Sequence, residues 1–383
     1  MTALSPLSIA HTEASTGWGG QEIRVLTEAA GFVARGHRAV VYAATGARIL
    51  AEAPRFGVTA IALPIGDKRP RGARAMIRTL AQERIDVVNS HSSTDTWLAA
   101  VACAWRGLRR RPAPVLVRTR HVSIPVPNDA GTRWLYRRAT ARIVTTGDAL
   151  RAQLIRDNGI DPRRIDSVPT GIDGARYVSR NRADARATLN LPPDVPLAGI
   201  VATLRSWKGH RHLVAALPQT RHRDMRLVIV GDGPQRAALE AQVDAAGIRD
   251  RVVFAGQQDD VAPWLAALDL FVLPSYANEG VPQALLQAMF AGIPCVTTAV
   301  GAIPEIARHG DTAEIVAVED PVALARGIDA VLDDPARAAQ LAANAHAFVL
   351  PRYGLDTMLD RMETVFRRAL ADSRSMSEGE AAR

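Results

Sequence analysis

The stretch RLVIVGDGPQR, residues 226–236, carries an apolar run directly into a glycine turn. Leu227–Val230 has the length and the β-branched content of a buried strand, and a helix-like stretch begins at Gln235. Between them Gly231 and Gly233 permit a tight turn, where the free N–H groups at the start of a helix favour an anion. A strand, a glycine turn and a helix occur in succession in many α/β proteins. The turn by itself therefore predicts an α/β fold and no particular ligand.

Short apolar runs alternate with longer helix-like stretches along the whole chain. This alternation predicts parallel sheets with helices on both faces. The predicted strands of the first half are Arg38–Ala43, Val58–Leu63, Asp86–Ser90, Val115–Thr119 and Ala141–Thr145. Those of the second half are Ala198–Thr203, Arg226–Val230, Arg251–Ala255, Asp269–Pro274, Pro294–Thr298 and Ala313–Val318. The predicted fold class is therefore α/β, with two doubly wound parallel sheets.

Turn-forming and polar residues are concentrated between the two predicted sheets, from about Val168 to Leu197. Such a composition indicates a linker, and a chain of 383 residues is too long for one ordinary core. The predicted parts are a first lobe (1–175), a hinge (176–196), a second lobe (197–354), a helix (about 355–371) that packs back on the first lobe, and a flexible tail (372–383). Ligands of such sheets bind beyond the carboxyl ends of the strands.

The formal net charge of +8 comes almost entirely from Arg, with Lys only at Lys68 and Lys208. Positive charge suits nucleic acid or an anionic membrane. Nucleic acid is not expected, because no recognition helix, zinc spacing or aromatic RNA-binding motif accompanies the charge. The stretch RWLYRR, residues 133–138, puts aromatic side chains among cations, which suits an anionic membrane surface as well as a solvated helix face.

Cys103 and Cys295 lie far apart in apolar runs, which indicates two buried thiols in a reducing compartment. The N-terminal residues lack the pattern of a signal peptide, and no segment has enough uninterrupted apolar residues to span a bilayer. We therefore expect a cytoplasmic protein that is peripheral to a membrane if it contacts one.

Two polar groups follow predicted strands of the second half. Arg205 and Lys208 come just after Ala198–Thr203, where two cations suit a diphosphate. The stretch PSYANEGVPQALLQAM, residues 274–289, leaves a strand and enters a helix through Pro282. Glu279 is expected beside the positive end of that helix, and Gln287 about two turns into it, where a carboxylate and an amide suit sugar and ribose hydroxyls. We expect Lys208 and Glu279 to face solvent.

With Arg205–Gly209, Gly231–Pro234 and Glu279–Pro282, the chain resembles the retaining GT-B glycosyltransferases of group 1, family 4, which include many lipopolysaccharide and polysaccharide assembly enzymes. The resemblance covers nearly the whole chain. It implies two Rossmann-like lobes facing across a cleft. In that family an Arg and a Lys hold the donor diphosphate, and the position of Glu279 contacts the donor sugar, so Arg205, Lys208 and Glu279 are assigned to catalysis.

The same resemblance assigns further residues to nucleotide-sugar binding. The family usually has a second Glu in the donor-lobe helix, which binds the nucleotide ribose; here the position is Gln287, whose amide can still bond to hydroxyls. The binding residues implied are Gly19, Gly20, Gly231, Gly233, Pro234, Gly280, Val281, Pro282 and Gln287.

The first half contributes three further features. Gly17–Gly20 follow a short first strand and are similar to the family's glycine loop, which approaches the donor phosphate and the acceptor. Val168–Asp173 resembles the family's Pro-Asn-Gly-Val-Asp signature, with Thr170 in place of Asn. His121 follows a strand and resembles the family histidine near the reacting sugar, so it is assigned to catalysis. His91 ends a strand in a similar way, and its role stays open between structure and function.

The resemblance implies transfer of a sugar from a nucleoside-diphosphate sugar to a saccharide or lipid-linked saccharide, with retention of anomeric configuration, in lipopolysaccharide or cell-surface polysaccharide assembly. The scheme needs no metal and no cofactor, and His210 and His212 are expected only to add positive charge beside Lys208. Two alternatives stay open. A nucleotide-sugar epimerase of similar architecture would need acid and base carboxylates and no acceptor. A non-catalytic nucleotide-sugar-binding module is less compatible with Arg205, Lys208 and Glu279 occurring together.

Overall fold

The computed structural model describes residues 5–109, 111–177 and 181–381. The chain forms two compact units. Unit 1 comprises Met1–Gly171 and Asp356–Arg383, and unit 2 comprises Ile172–Leu355. These bounds differ from the predicted ones, because the residues predicted as a hinge, 176–196, fall inside unit 2 and include a helix, Arg182–Thr188. The predicted tail, 372–383, differs as well, since helix Leu355–Ala381 includes all of its described residues. Residues 382–383 lie outside the described residues.

Unit 1 is built on seven parallel strands in the order β3-β2-β1-β4-β5-β6-β7. The strands are β1 (Ser8–Glu13), β2 (Arg38–Ala44), β3 (Thr59–Leu63), β4 (Val87–Ser90), β5 (Val115–Arg120), β6 (Arg142–Thr145) and β7 (Ile165–Ser167). The helices of this unit are α1 (Gly20–Ala34), α2 (Arg48–Glu52), α3 (Pro70–Gln82), α4 (Ser93–Leu108), α5 (Ala130–Trp134), α6 (Asp148–Asn158) and α14 (Leu355–Ala381).

Unit 2 has six parallel strands in the order β10-β9-β8-β11-β12-β13. They are β8 (Leu197–Val201), β9 (Arg226–Val230), β10 (Val252–Gly256), β11 (Leu270–Leu273), β12 (Cys295–Thr298) and β13 (Glu314–Val316). The helices are α7 (Arg182–Thr188), α8 (His210–Ala216), α9 (Arg236–Ala245), α10 (Ala262–Ala266), α11 (Gln283–Phe290), α12 (Pro321–Leu332) and α13 (Pro335–Val349).

The prediction of an α/β fold with two doubly wound parallel sheets is confirmed. Central strands such as β4, β5, β11 and β12 are buried throughout, as expected of strands covered by helices on both faces. The predicted strands match within a few residues at each end, whereas β7, which has only three residues, was not predicted. Its sequence, Ile165-Asp166-Ser167, has a single apolar side chain and so offers no apolar run.

Each sheet has a point where the strand order reverses. In unit 1 it lies between β1 and β4, and in unit 2 between β8 and β11. At such a point the loops after the two central strands diverge to opposite sides, which leaves a crevice at the carboxyl ends of the strands. The loops that follow these four strands therefore hold the residues of interest.

Proline and aspartate define the starts of the last two helices of unit 2. Asp320 precedes Pro321, and its carboxylate accepts hydrogen bonds of 2.9 Å from the N–H groups of Val322 and Ala323. Asp334 similarly accepts from the N–H of Arg337 at 2.9 Å. An Asp cap followed by proline is a strong helix start, because proline lacks the N–H that would otherwise have no partner.

Helix α14 packs against α1 within unit 1. A Cβ at Gly31 would lie 2.4 Å from Cδ1 of Leu359, so the glycine permits the close approach of the two helices. Arg35 pairs with Asp360 at 2.6 Å, and the rings of Phe32 and Phe366 lie 5.5 Å apart. None of the helices that the structure describes is both long enough and apolar enough to cross a membrane.

Candidate functional site

Lys208 and Glu279 meet at the reversal point of the unit 2 sheet. Lys208 lies in the loop after β8, and Glu279 in the loop after β11. Nζ of Lys208 is 2.6 Å from Oε1 of Glu279, and the Ser275 hydroxyl donates to the same oxygen at 2.6 Å. The Glu279 side chain is only 5% exposed and that of Lys208 is 21% exposed. The expectation that both face solvent is therefore wrong for Glu279, because the ion pair and the Ser275 hydroxyl allow its carboxylate to be buried.

The backbone around Glu279 adopts an uncommon conformation. Asn278 has a φ of +58°, a left-handed value that Asn tolerates better than most residues. A Cβ at Gly301 would lie 2.2 Å from the Glu279 carbonyl oxygen, so only glycine fits there. The loop after β12 thus packs directly on the loop that carries Glu279 and fixes its position.

The glycine turn after β9 packs on the Arg205 loop. Gly231 has a φ of +135°, and a Cβ there would lie 2.1 Å from the Ala202 carbonyl oxygen. Leu204 donates its N–H to the Asp232 carbonyl at 3.0 Å, and a Cβ at Gly233 would approach the Leu204 backbone to 2.9 Å. The glycines therefore serve first to bring two backbone loops together, and these loops present Arg205 and the exposed Pro234 at the same sheet edge.

Arg205 is exposed, and its guanidinium carbon lies 5.7 Å from the centroid of the Trp207 ring. Stacking on an indole restricts a long side chain without removing its charge. Arg205 and Lys208 thus share one short loop, with Lys208 paired and Arg205 facing solvent.

The Gly280–Pro282 segment leads into α11. All three residues are buried, and Pro282 is the residue immediately before the helix rather than a member of its first turn. Gln287 lies about one turn into α11 rather than two, because the helix begins at Gln283. Its exposure is 8%, so its amide is a buried polar group in a helix that starts at the candidate site.

His210 does not add positive charge, contrary to the expectation. It is 2% exposed, and burial, with a smaller contribution from Lys208, lowers its pKa to about 3. Partial burial, followed by Arg211, also lowers the pKa of His212. At neutral pH both imidazoles are neutral.

In unit 1, His121 follows β5 and belongs to a chain of three imidazoles. Nδ1 of His91 lies 2.9 Å from Nε2 of His121, and Nε2 of His91 lies 3.1 Å from Nδ1 of His11. His91 follows β4 and His11 lies within β1, so the chain crosses the reversal point of this sheet. His91 is fixed by Asp95, whose Oδ2 accepts its backbone N–H at 2.9 Å. His121 and His91 are therefore brought together, whereas sequence reasoning treated them separately.

Gly19 and Gly20 start α1 beside a buried carboxyl group. Gly19 is extended and precedes the helix, and Gly20 is its first residue. Glu13, at the end of β1, is fully buried and accepts hydrogen bonds from the Ser15 N–H at 2.8 Å and from Gln21 Nε2 at 2.5 Å. Burial, together with Asp95 and Glu22, raises the pKa of Glu13 to about 8. This glycine loop thus adjoins a buried carboxyl group whose pKa is raised.

The segment Val168–Asp173 begins with residues that bond to α1. Arg24 is fully buried, and its guanidinium donates to the Val168 carbonyl at 2.7 Å and to the Thr170 hydroxyl at 3.4 Å. Thr170, which replaces the family's Asn, is thus a structural contact within unit 1.

The aromatic and basic stretch 133–138 is only partly a surface. Tyr136 is 4% exposed, and its hydroxyl accepts hydrogen bonds from Arg118 at 3.0 Å and Arg120 at 2.9 Å. Trp134 is 37% exposed and stacks on Trp97, with ring centroids 5.8 Å apart. Tyr136 is therefore not available to a membrane, because it organises two buried arginines.

The site residues fall into two groups that the two units hold separately. Unit 2 brings together the loop of Arg205 and Lys208, the Gly231–Pro234 turn, Glu279 and the start of α11. Unit 1 holds Gly19, Gly20 and His121. Among the residues that the structure describes, no three His, Cys, Asp or Glu side chains are placed to share a metal ion.

Sequence reasoning missed several residues that organise these groups. Ser275 and Gly301 hold Glu279. His11 and Asp95 bond to His91, and Glu13 interacts electrostatically with Asp95. Signals were present: His11 and Glu13 are polar residues in a strand, and Gly301 follows a strand end as Gly231 does. Ser275 and Asp95 each lie only four residues from the residue they bond to. The contacts of His11 with His91 and of Gly301 with Glu279 join more distant parts of the chain, and no sequence spacing encodes them.

Two family models match the chain. The model described as Glycosyltransferase Family 4 matches residues 18–176, and the model described as Glycosyl transferases group 1 matches residues 195–334. The first match lies mainly in unit 1 and the second lies within unit 2.

Three relatives show how far the similarity extends. A 2-deoxystreptamine glucosyltransferase from Streptomyces kanamyceticus is 35% identical over 211 residues, which make up 53% of this chain and 54% of that protein. The match thus spans about half of that relative's length. A D-inositol 3-phosphate glycosyltransferase from Xylanimonas cellulosilytica is 31% identical over 309 residues, 74% of this chain and 72% of the relative. The lipopolysaccharide core biosynthesis mannosyltransferase LpcC from Rhizobium leguminosarum bv. viciae is 29% identical over 289 residues, 72% and 77% of the two chains.

Among solved structures, Anabaena HepE in complex with UDP matches with a TM-score of 0.81 at 20% identity, over 94% of this chain and 100% of that one. At this identity the likeness concerns the fold, and it confirms the GT-B class that the sequence resemblance implied. The family models and the Xylanimonas relative agree with that resemblance. The chain belongs to the glycosyltransferases of group 1, family 4.

Proposed function

We propose that the chain transfers a sugar from a nucleoside-diphosphate sugar to a saccharide or lipid-linked saccharide, with retention of anomeric configuration. The observation that carries this proposal is the contact between Lys208 and Glu279, 2.6 Å at the reversal point of the unit 2 sheet. A cation and a carboxylate at that point can recognise the two ends of one donor, since the diphosphate is anionic and the sugar carries hydroxyl donors.

The leaving diphosphate gains charge as its bond to the sugar breaks. Arg205 and Lys208 supply two positive charges in one loop, and α11 starts beside Glu279 with its free N–H groups. The Gly231 turn adds backbone close to that loop. Fixed cations and dipoles of this kind stabilise the transition state more than the ground state, which is what accelerates transfer. In this scheme protein groups compensate the charge and no cofactor takes part.

His121 is proposed to contact the reacting sugar, and Gly19 and Gly20 to approach the donor phosphate and the acceptor. Gln287 is proposed to bond to the nucleotide ribose through its amide. The scheme assigns no covalent nucleophile. Retention is tested on the product, because the anomeric configuration of the new bond is measured directly by NMR coupling constants.

The relatives suggest which donors and acceptors to try first. Their named acceptors include 2-deoxystreptamine and D-inositol 3-phosphate, which are polyhydroxylated, and LpcC acts in lipopolysaccharide core biosynthesis. The Anabaena protein was crystallised with UDP. We propose a polyhydroxylated acceptor and a role in lipopolysaccharide or cell-surface polysaccharide assembly, with UDP-sugars as the first donors to test.

Two measurements separate this function from its alternatives. A thermal-shift panel of UDP-, GDP- and ADP-sugars identifies the donor, and release of free nucleoside diphosphate is then followed with and without an acceptor pool. A transferase releases the diphosphate faster when acceptor is present. An epimerase converts the donor sugar without acceptor and without release. Donor binding with neither reaction, across all acceptor pools, would favour a binding module.

We also propose that the protein acts at the cytoplasmic face of an anionic membrane. One face of α4 exposes Val101, Trp105 and Leu108, at 42%, 43% and 80%. These residues are spaced as one helical stripe, and the guanidinium of Arg109 lies 4.5 Å from the Trp105 ring centroid. An apolar stripe bordered by cations suits a lipid headgroup boundary. Co-sedimentation with vesicles containing an anionic phospholipid should be lost in Trp105→Ser with Leu108→Ser, and retention of full binding would contradict the proposal.

A further inference from the structure

The three histidines of unit 1 form one continuous hydrogen-bonded chain. Its two links are the 3.1 Å contact from His11 Nδ1 to His91 Nε2 and the 2.9 Å contact from His91 Nδ1 to His121 Nε2. The planes of neighbouring rings are inclined by only 21° and 32°. Both nitrogen–nitrogen separations lie within hydrogen-bonding distance. His91 uses both of its ring nitrogens in these hydrogen bonds. The nitrogen that carries the proton in one neutral ring therefore determines which nitrogen carries it in the other two.

All three rings are neutral at neutral pH. Burial, with Arg24, lowers the pKa of His11 to about 3. Burial also lowers the pKa of His121 well below its usual value, with Arg24, Arg118 and Arg120 acting in the same direction. The pKa of His91 is lowered by burial, by the two other histidines and by Arg24 and Arg118. Asp95 faces the same region, and its pKa is raised by burial.

Three neutral imidazoles carry three N–H protons, one on each ring, and the two hydrogen bonds use two of them. The third proton must be at one end of the chain. In the first arrangement it is on His11 Nε2; His121 then donates to His91, His91 donates to His11, and His121 Nδ1 is a bare acceptor. In the second arrangement it is on His121 Nδ1; His11 then donates to His91, and His91 donates to His121. No other arrangement of neutral rings keeps both hydrogen bonds.

The two ends of the chain differ in their surroundings. His11 is fully buried, and its Nε2 has no hydrogen-bond partner among the described residues. His121 is partly exposed, and within the same described part of the chain no hydrogen bond reaches its Nδ1. A buried N–H without an acceptor is rarer in proteins than a buried acceptor without a donor, whereas an N–H at an accessible end can bond to water or a ligand.

We propose that His91 and His11 are positioning residues that hold His121 in the Nδ1–H form, so that it presents a hydrogen-bond donor to an oxygen of the bound sugar. His11 Nδ1 donates to His91 Nε2, and His91 Nδ1 donates to His121 Nε2. His121 thus serves as a neutral donor rather than as a base. This inference rests on the proposed contact of His121 with substrate.

The protonation state of each ring nitrogen is determined by NMR on protein labelled with ¹⁵N-histidine, without substrate. Two-bond couplings between ring nitrogens and carbon-bound protons distinguish a protonated nitrogen from a bare one, and the His121 signals are those missing from His121→Ala. The expected result is a protonated Nδ1 and a bare Nε2 in His121. A protonated Nε2 with a bare Nδ1 would overturn the proposal whether or not any acceptor supports turnover.

Variants of His91 and His11 then test whether these two residues determine the tautomer of His121. In His91→Leu the link is lost, so we expect a mixture of His121 tautomers and a kcat that falls in proportion to the lost Nδ1–H fraction, by about two- to fivefold, with donor KM within about twofold. His91→Gln keeps an amide donor for His121 Nε2 and should restore the Nδ1–H form and most of kcat. In His11→Phe the link from His91 to His121 remains, and the loss should be smaller than in His91→Leu.

Circular dichroism and thermal unfolding establish which variants fold. If His91→Leu fails to fold, the test is the comparison of the His121 tautomer in His91→Gln with that in the wild type. A folded His91→Leu with an unchanged tautomer and an unchanged kcat would overturn the proposal. If no acceptor pool supports turnover in the wild type, the proposed transfer fails, while the substrate-free NMR result still decides the tautomer.

Discussion

Nζ of Lys208 lies 2.6 Å from Oε1 of Glu279, although the two residues are 71 positions apart in the chain. The contact joins the loops after two neighbouring strands, β8 and β11. It therefore ties together the two sides of the crevice at which the strand order reverses, and it keeps a carboxylate and an ammonium group ready for a donor. One ion pair thus serves both the stability of unit 2 and its proposed chemistry.

Lys208→Met should lower kcat/KM by about 100-fold or more, because a fixed cation at a leaving group contributes at this scale. The same change leaves the buried carboxylate of Glu279 without its cation, so we also expect a lower Tm. Steady-state release of nucleoside diphosphate and differential scanning calorimetry measure the two effects.

The chain offers a matched control, because its other lysine is Lys68. Lys68 belongs to unit 1, where its ammonium group lies 5.6 Å from the centroid of the Trp97 ring. Lys68→Met should leave kcat/KM within about twofold, since Lys68 is exposed and belongs to a different unit from the Lys208–Glu279 pair. Wild-type turnover in Lys208→Met would remove Lys208 from the proposed site.

Gly231→Ala should disrupt the donor site by a steric route. The backbone there has a φ of +135°, and an added Cβ would lie 2.1 Å from the Ala202 carbonyl oxygen, so the two loops must separate. Gly247→Ala is the matched control, because its φ is +64° and a Cβ added there would meet no atom of the described residues within 4 Å. Chemical denaturation should show Gly231→Ala to be less stable than Gly247→Ala by at least about 1 kcal/mol. Equal stabilities would contradict the steric argument.

Gln287→Leu should weaken donor binding while leaving the chemical step nearly intact. If the amide bonds to the ribose, its loss removes binding that is equal in the ground and transition states, so donor KM should rise about tenfold with kcat within about twofold. Gln340→Leu, an exposed glutamine of α13, is the control. A kcat that falls as strongly as kcat/KM would instead assign Gln287 to the transition state.

The sequence predicted the sheets well because a parallel strand buried on both faces leaves a local signature. Leu227–Val230 is apolar at every position, and all four residues are buried. The loops after the strands were also predictable, since Gly231 and Lys208 follow strand ends. Burial within a loop was not: Glu279 was expected in solvent, yet Lys208 and Ser275 enclose it. Nothing in the residues beside Glu279 indicates that Lys208, which follows another strand, is its partner.

The histidine chain shows the same limit in unit 1. His91 and His121 were recognised separately, since each follows a strand. His11 lies within a strand, and the residues beside it form no recognisable motif. The register of β1 against β4 pairs His11 with Asn89 and so brings His11 near His91, which lies two residues further along. Such register is a property of the sheet as a whole, so sequence spacing cannot reveal it.

His210 should make unit 2 sensitive to mild acid, and its replacement should relieve that sensitivity. In the unfolded chain a histidine binds a proton below about pH 6.5, whereas burial lowers the pKa of His210 to about 3 in the folded protein. Between these values the unfolded state binds more protons, so the free energy of unfolding falls as pH decreases. Neither ring nitrogen of His210 has a hydrogen-bond partner among the described residues, so an apolar replacement sacrifices no such bond.

Urea unfolding of the wild type and of His210→Leu, measured from pH 7.5 down to pH 4.5, checks this argument. Above about pH 6.5 the difference between the two unfolding free energies should be constant, which provides the internal reference for any change in packing. Below that value the difference should shift in favour of His210→Leu by about 1.4 kcal/mol for each pH unit, the slope for one proton. Parallel curves across the whole range would mean that His210 becomes protonated in the folded protein without penalty, and the imidazole would then have to reach solvent or a carboxylate.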